Sequence, residues 1–248
     1  MNKLTVLTLT FHQKDLVDIL IRSFEKYRPE NLEITYVVVE NSSDTSYKEH
    51  TESLAKNVKW FNNPDADVGE ASTANGMGIE FGKHHVEDEW TFVCHNDVAV
   101  TDTTFFEEMS RKVEEGYELV GVVKDNSRIE AVHVSGYLTK TNLLQKVDAR
   151  HNMPTLDVGD RLTEYFREND MKYYVFRNTE NNHSLYEVCN EPYRSLGPSC
   201  GMDRCLNSND KVMFIHLGRG APKSMNKYFK PGKITYPGWV KFCNEVVL

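Results

Sequence analysis

The run Ile34-Thr35-Tyr36-Val37-Val38-Val39 is β-branched or aromatic at every position and carries no charge. A strand with no polar face must be covered on both sides, which in a chain of this kind means a parallel sheet with a helix against each face. The flanking sequence supplies the cover. Residues 4–9 alternate and are rich in Thr, Val and Leu, the pattern of a first strand. Residues 15–27 then place Leu16, Ile19, Leu20, Phe24 and Tyr27 at helical spacing, and Arg28-Pro29 stops the helix because proline cannot continue it. A third short strand over 58–61, a helix over 70–82 and a fourth strand over 89–94 extend the rhythm. The pattern predicts an α/β fold with a doubly wound, mostly parallel sheet flanked by helices. Ligands of such sheets sit beyond the carboxyl ends of the strands, where the sequence puts two polar loops, 40–44 and 95–97.

The second half is less regular. A helix over 105–113, strands over 119–123, 131–137, 173–176 and 212–215, and a helix beginning over 160–166 are expected. Residues 178–210 are polar and turn-rich, with Asn181-Asn182 and Gly197-Pro198, and read as a mobile lid or an acceptor loop. No run of apolar residues is long enough for a transmembrane helix. The N-terminus lacks the basic region and cleavage site of a signal peptide, so a cytoplasmic location is expected. Five cysteines without a CxxC pair argue for reduced thiols rather than disulfides or a zinc ribbon. The net charge is −8, yet residues 211–241 hold seven basic residues (Lys211, Arg219, Lys223, Lys227, Lys230, Lys233, Lys241) and no acidic one. A basic segment on an acidic body points to an anionic partner.

Several common sites are excluded. No GxGxxG follows the first strand, no GxSxG is present, and Gly82-Lys83 lacks the remainder of a phosphate loop. His84 and His85 are neighbours on a helix, cannot face one point, and read as surface residues.

Taken together, the order of motifs resembles the family 2 glycosyltransferases of the GT-A fold. The resemblance is carried by Val37-Val38-Val39-Glu40-Asn41-Ser42-Ser43-Asp44, by Gly69 with Asn75 six residues on, and by Trp90-Thr91-Phe92-Val93-Cys94-His95-Asn96-Asp97. It implies a GT-A type (Rossmann-like) domain with an irregular C-terminal acceptor region. Residues 1–100 would be its nucleotide-sugar-binding half, 101–220 its acceptor-binding half, and 221–248 a basic aromatic C-terminal segment. It further implies that Glu40, Asn41, Asn75, His95, Asn96, Arg219 and Lys223 meet the nucleotide sugar. His95-Asn96-Asp97 stands where the family keeps its Asp-x-Asp metal motif, with His95 replacing the first carboxylate. Asp97 and His216, at the end of Met213-Phe214-Ile215-His216, would hold Mn2+ or Mg2+, which neutralises a departing diphosphate. Asp157, with Asp160 as the runner-up, would be the general base that deprotonates a hydroxyl acceptor, giving inversion. The implied activity is transfer of a hexosyl or pentosyl group from a nucleotide-diphosphate sugar to a glycan, lipid or other hydroxyl acceptor.

Two alternatives stand beside it. Tyr228, Phe229, Tyr236 and Trp239 interleave with the C-terminal lysines, a composition suited to stacked bases and phosphates and hence to a hydroxymethylated base in DNA as acceptor. The His95 replacement would suit a nucleotide-binding protein that has lost the chemistry.

Overall fold

The computed structural model describes residues 1–66, 69–126, 129–152, 155–197, 200–225, 227 and 230–248. Strand β1 (Lys3–Thr10) leads through α1 (Lys14–Tyr27) to β2 (Glu33–Glu40), which pairs with β1 in parallel from Lys3↔Glu33 to Thr10↔Glu40. Helix α1 buries Leu16, Val17, Leu20 and Phe24, the face its periodicity predicts. A short α2 (Lys48–Ser53) and β3 (Val58–Asn62) follow, then α3 (Ala71–Gly82) and β4 (Trp90–His95). Helix α3 lies unusually close to the sheet because its glycines leave room. A Cβ on Gly82 would stand 2.5 Å from Leu7, and one on Gly78 2.9 Å from Leu9 and Asn41.

Beyond β4 the chain changes direction. Strand β5 (Val98–Val100) and α4 (Thr104–Glu114) precede β6 (Leu119–Gly121), β7 (Gly136–Lys140), α5 (Thr141–Lys146), α6 (Asp160–Glu168) and β8 (Tyr173–Val175). The main sheet has the order β3-β2-β1-β4-β7-β6-β8, and only β7 runs against the others. The fold is therefore α/β, with a mostly parallel sheet flanked by helices, as the sequence pattern predicts. Residues 131–135, expected as part of a strand, instead fold back on 122–125. His133 N–H donates to Val123 C=O at 2.9 Å and Asp125 N–H to Ala131 C=O at 2.8 Å. The sheet accepts this chain only from Gly136, where a Cβ would stand 2.6 Å from Val122 and 2.9 Å from Phe92.

A second, antiparallel sheet was not foreseen. It joins β5 to β11 (Val212–His216), then to β10 (Asp203–Leu206) and β9 (Arg177–Asn178). The described residues of segment 178–210, expected as a mobile lid or an acceptor loop, are tied down by it. The fully buried Arg204 donates to the carbonyls of Tyr193, Met202 and Gly197 at 2.8–3.2 Å. Pro198 of the expected Gly197-Pro198 turn lies outside the described residues.

The chain closes with α7 (Gly220–Ser224), α8 (Tyr236–Phe242) and a π-helical turn (Cys243–Val247). Trp239, Cys243 and Val247 are fully buried in one cluster with Leu16 and Ile19 of α1 and Ala99 of β5. Lys26 and Tyr27 both donate to the carbonyl of Val247, at 2.7 and 2.9 Å. The terminal segment is thus part of the core.

The two sheets meet over five phenylalanines, Phe24, Phe92, Phe105, Phe106 and Phe214. Their contacting rings have centroids 5.1–6.0 Å apart. Phe214 is the member from β11, so its packing holds the second sheet against the first. Phe214→Ala is expected to cost roughly 3–5 kcal/mol in unfolding free energy, read by urea denaturation.

Candidate active site

The carboxyl ends of β1, β2 and β4 are level, since Thr10 pairs with Glu40 and Leu9 with His95. Beyond them opens a cleft of about 760 Å³, within the range of small-molecule sites. Its floor is set by a register. Strand β5 starts one residue after Asp97 and pairs Val98 with His216, and Leu217 N–H donates to Asp97 C=O at 2.9 Å. Two residues more than a hundred positions apart are thereby placed side by side.

His95, Asp97 and His216 present ligand atoms that all lie within 4.8 Å of one another. Asp97 is 3% exposed and His216 5%. His216 Nε2 stands 3.3 Å from Asp97 Oδ1 without hydrogen-bond geometry, so their attraction is coulombic. Nε2 of both His95 and His216 is buried with no hydrogen-bond partner among the described residues. Two buried, unpaired ring nitrogens converging on a carboxylate fit a divalent cation, because an unsatisfied buried polar atom is otherwise costly.

The surroundings set the charges. His216 Nδ1 lies 3.0 Å from Asp203 Oδ2, so the carboxylate holds the hydrogen on Nδ1 and turns Nε2 inward. Burial acts to lower the His216 pKa, but Asp97 and Asp203 outweigh it and raise it to about 10. Burial likewise acts to raise Asp97, yet His216, His95 and the Gly220 N–H hold it far below the usual carboxylate range. His95 is brought down to about 3, chiefly by burial. Gly220 donates to Asp97 Oδ2 at 2.9 Å, and a Cβ there would stand 2.5 Å from Asp97 Cβ and 2.7 Å from Oδ2. Only glycine admits this approach.

Around the trio the cleft carries charge of both signs. Arg219, Lys223, Lys227 and Lys233 all line it. Lys223 also donates to Leu217 C=O at 3.1 Å, which fixes its stem beside Asp97. Of the other three cations of the basic segment, Lys211 pairs with Asp102, Lys241 lies 3.9 Å from Glu245, and Lys230 is exposed. Asn75, Asn41 and Asn96 line the cleft as well. Asn41 Nδ2 donates to Ala74 C=O at 2.9 Å and Asn96 Nδ2 to Gln13 Oε1 at 2.7 Å, so these two amides also brace the wall they form.

Glu40 is placed elsewhere. It is fully buried, absent from the cleft wall, and accepts from His12 N–H, Ser42 Oγ and Tyr47 Oη. Burial pushes its carboxyl up. These bonds make its side chain the organiser of the loop. Asp160 is 3% exposed, and its Oδ2 accepts the Asp157 N–H at 2.7 Å. Gly159, at φ +78°, is the N-cap of α6, so Asp157 does not cap the helix. Asp157 is half-buried and lines the cleft, with Oδ1 accepting Val158 N–H at 2.8 Å.

The aromatic part of the nucleic-acid expectation fails where it is described. Trp239 is in the core and Tyr236 donates to Asp15 at 3.2 Å; Tyr228 and Phe229 lie outside the described residues. Sequence reasoning missed Asp125, His133, Glu180 and Asp203, all of which line the cleft. A histidine or acid on an alternating strand, as in Val132-His133-Val134, was the available signal.

No protein-family model and no curated protein matches the chain. Among solved structures, it is similar to the mannosyltransferase PcManGT from Pyrobaculum calidifontis in complex with GDP-Man and Mn2+, at 13% identity and a TM-score of 0.49. That similarity covers 97% of this chain and 68% of the other. The chain is similar to S. aureus TarS 1-349 at 15% identity and a TM-score of 0.48, covering 65% and 53%. It is also similar to the bifunctional IspDF from Campylobacter jejuni at 12% and 0.44, covering 71% and 49%. The chain thus spans about half the length of the last two.

Two outcomes are expected if the trio holds a divalent cation. Gly220→Ala pushes Asp97 off the trio, and Mn2+ affinity measured by calorimetry is expected to fall about 10–100-fold. Without metal, His216 keeps its proton up to about pH 10, and an incoming ion must displace it. Affinity should therefore rise with pH, close to tenfold per unit between about 7 and 9. Calorimetry in buffers of different ionisation enthalpy should show about one proton released per ion.

Proposed function

We propose that this chain is a metal-dependent glycosyltransferase of the GT-A type, transferring a sugar from a nucleotide-diphosphate donor to a hydroxyl acceptor. The observation that carries the reading is the joining, in one cleft, of the His95–Asp97–His216 trio with Arg219, Lys223, Lys227 and Lys233. A compact divalent site beside four cations suits a diphosphate, the leaving group of such a donor. A bound divalent cation supplies charge neutralisation at the departing phosphates. Two imidazoles with one carboxylate favour Mn2+ over Mg2+, which prefers oxygen ligands.

The chain's own groups supply the rest. Arg219 and Lys223 hold phosphate oxygens, and Asn75 and Asn96 orient the donor through hydrogen bonds. Asp157 accepts the proton of the acceptor hydroxyl as that oxygen attacks the anomeric carbon on the face opposite the diphosphate, giving inversion. Asp160 keeps Asp157 in place through its backbone N–H.

A thermal-shift screen of nucleotide-diphosphate sugars with Mn2+ tests the donor reading, because a tight ligand raises apparent stability by mass action. One nucleotide class should raise Tm in the parent chain and not in Asp97→Ala. Asp157→Asn should keep that shift while kcat falls ~10²–10⁴-fold. Equal binding by Asp97→Ala, or full turnover by Asp157→Asn, would contradict the assignment.

A further inference from the structure

We propose that Gln13 is a positioning residue that ties the metal loop to helix α7, so that a divalent cation on the trio and an anion on Arg219 and Lys223 bind cooperatively, an inference that rests on the glycosyltransferase reading above.

Gln13 turns the corner from β1 to α1. It is buried, lines the cleft, and stands at the N-cap of α1 with no side-chain bond to the helix. Its carbonyl alone serves the helix, accepting Leu16 N–H at 3.2 Å and Val17 N–H at 3.3 Å. A place usually filled by Ser, Thr, Asp or Asn is thus given to a longer amide whose bonds go elsewhere. His12, just before it, has φ +57°, a left-handed form uncommon for a residue with a side chain. Two acids hold that turn: His12 N–H donates to Glu40 Oε2 at 3.2 Å, and His12 Nδ1 lies 2.8 Å from Asp44 Oδ2. The corner that carries Gln13 is therefore fixed.

The Gln13 amide joins two segments far apart in sequence. Its Oε1 accepts Asn96 Nδ2 at 2.7 Å, and its Nε2 donates to Ser224 Oγ at 3.3 Å. Asn96 is buried and stands between His95 and Asp97, two members of the trio. Ser224 is the last residue of α7, whose first residue, Gly220, donates to Asp97 Oδ2 at 2.9 Å. Helix α7 is thus bonded to the metal loop at both ends, directly at Gly220 and through Gln13 at Ser224. Arg219 precedes this tied stretch, Lys223 lies within it, and both line the cleft.

A cation on Asp97 acts on the loop to which Asn96 belongs, and an anion on Arg219 and Lys223 acts on α7. Because one amide bridges the two, ordering either end makes the other easier to order, which is positive coupling. Coupling is reciprocal, so the anion tightens the metal by the same factor. Direct contact between metal and phosphate adds coupling of its own, which changes at Gln13 leave in place.

Amide hydrogen exchange by NMR on the ¹⁵N-labelled full chain, with Zn2+ as a diamagnetic probe, tests the link without any nucleotide. Zn2+ should slow exchange at Gly220 and at 223–225. Gln13→Met, which keeps the length of the side chain without its amide, should lose the protection at 223–225 and keep it at Gly220. Gln13→Glu should restore it, since a carboxylate accepts from both Asn96 and the Ser224 hydroxyl. Calorimetry then measures the coupling with UDP, GDP, ADP, CDP and dTDP as probes. The diphosphate that binds the parent chain should bind more tightly with Mn2+ present. Gln13→Met and Ser224→Ala should each cut that gain about 2- to 10-fold, the usual contribution of one hydrogen bond, while Mn2+ affinity alone stays within about twofold. The double variant should lose no more than the worse single one, because both break the same bridge. Additive losses would make Gln13 a ligand contact instead, and they would overturn the proposal. So would an undiminished gain in both single variants, or protection at 223–225 that survives Gln13→Met. A parent chain that binds none of the five diphosphates would overturn the donor reading, while the exchange measurement still decides the link.

Discussion

The pairing of Val98 with His216 is the constraint on which the site depends. Strand β4 delivers His95 and Asp97 to the carboxyl edge of the main sheet, and β5 leaves at once to join a second sheet. That departure is what brings β11 alongside. A slip of one residue in this register would turn His216 to the other face, because side chains alternate along a strand. The register is held by Phe214 in the aromatic core below and by the Leu217–Asp97 backbone bond above. The packing that stabilises the fold thus also fixes the spacing of the trio.

Electrostatics then divides the cleft. Asp203 fixes the direction of His216, and Gly220 admits a backbone N–H to Asp97 where any side chain would collide. Both devices keep a carboxylate and two ring nitrogens focused on one point while burying them. Leaving those groups unpaired is expensive, and a cation would satisfy all three at once. The cations that follow in 219–233 extend this site toward an anion, and Asp125, Asp157 and Glu180 line the same cleft.

Much of this was legible in the sequence. The uncharged run at 34–39 required a covered parallel strand, and the strand-end position of His95-Asn96-Asp97 located the site. His216 could be matched to Asp97 only through the resemblance, since no local pattern reports a contact made by strands from opposite ends of the chain. Glu40 shows the opposite case, because a strand-end acid reads alike whether it meets a ligand or its own loop. His133 was hidden because residues 131–137 alternate like a strand. Gly136, where that strand truly begins, is decided by Val122 and Phe92, which lie far from it in sequence. Trp239 was misplaced because an aromatic between lysines resembles a stacking platform until the helix that carries it is seen to pack on α1.

The most direct test of the central claim is an anomalous difference map from crystals grown with Mn2+ and a nucleoside diphosphate. One metal peak is expected, bonded to His95, Asp97 and His216, with the diphosphate between it and Arg219 and Lys223. A metal peak away from that trio, or a diphosphate bound on the acidic side of the cleft, would contradict it.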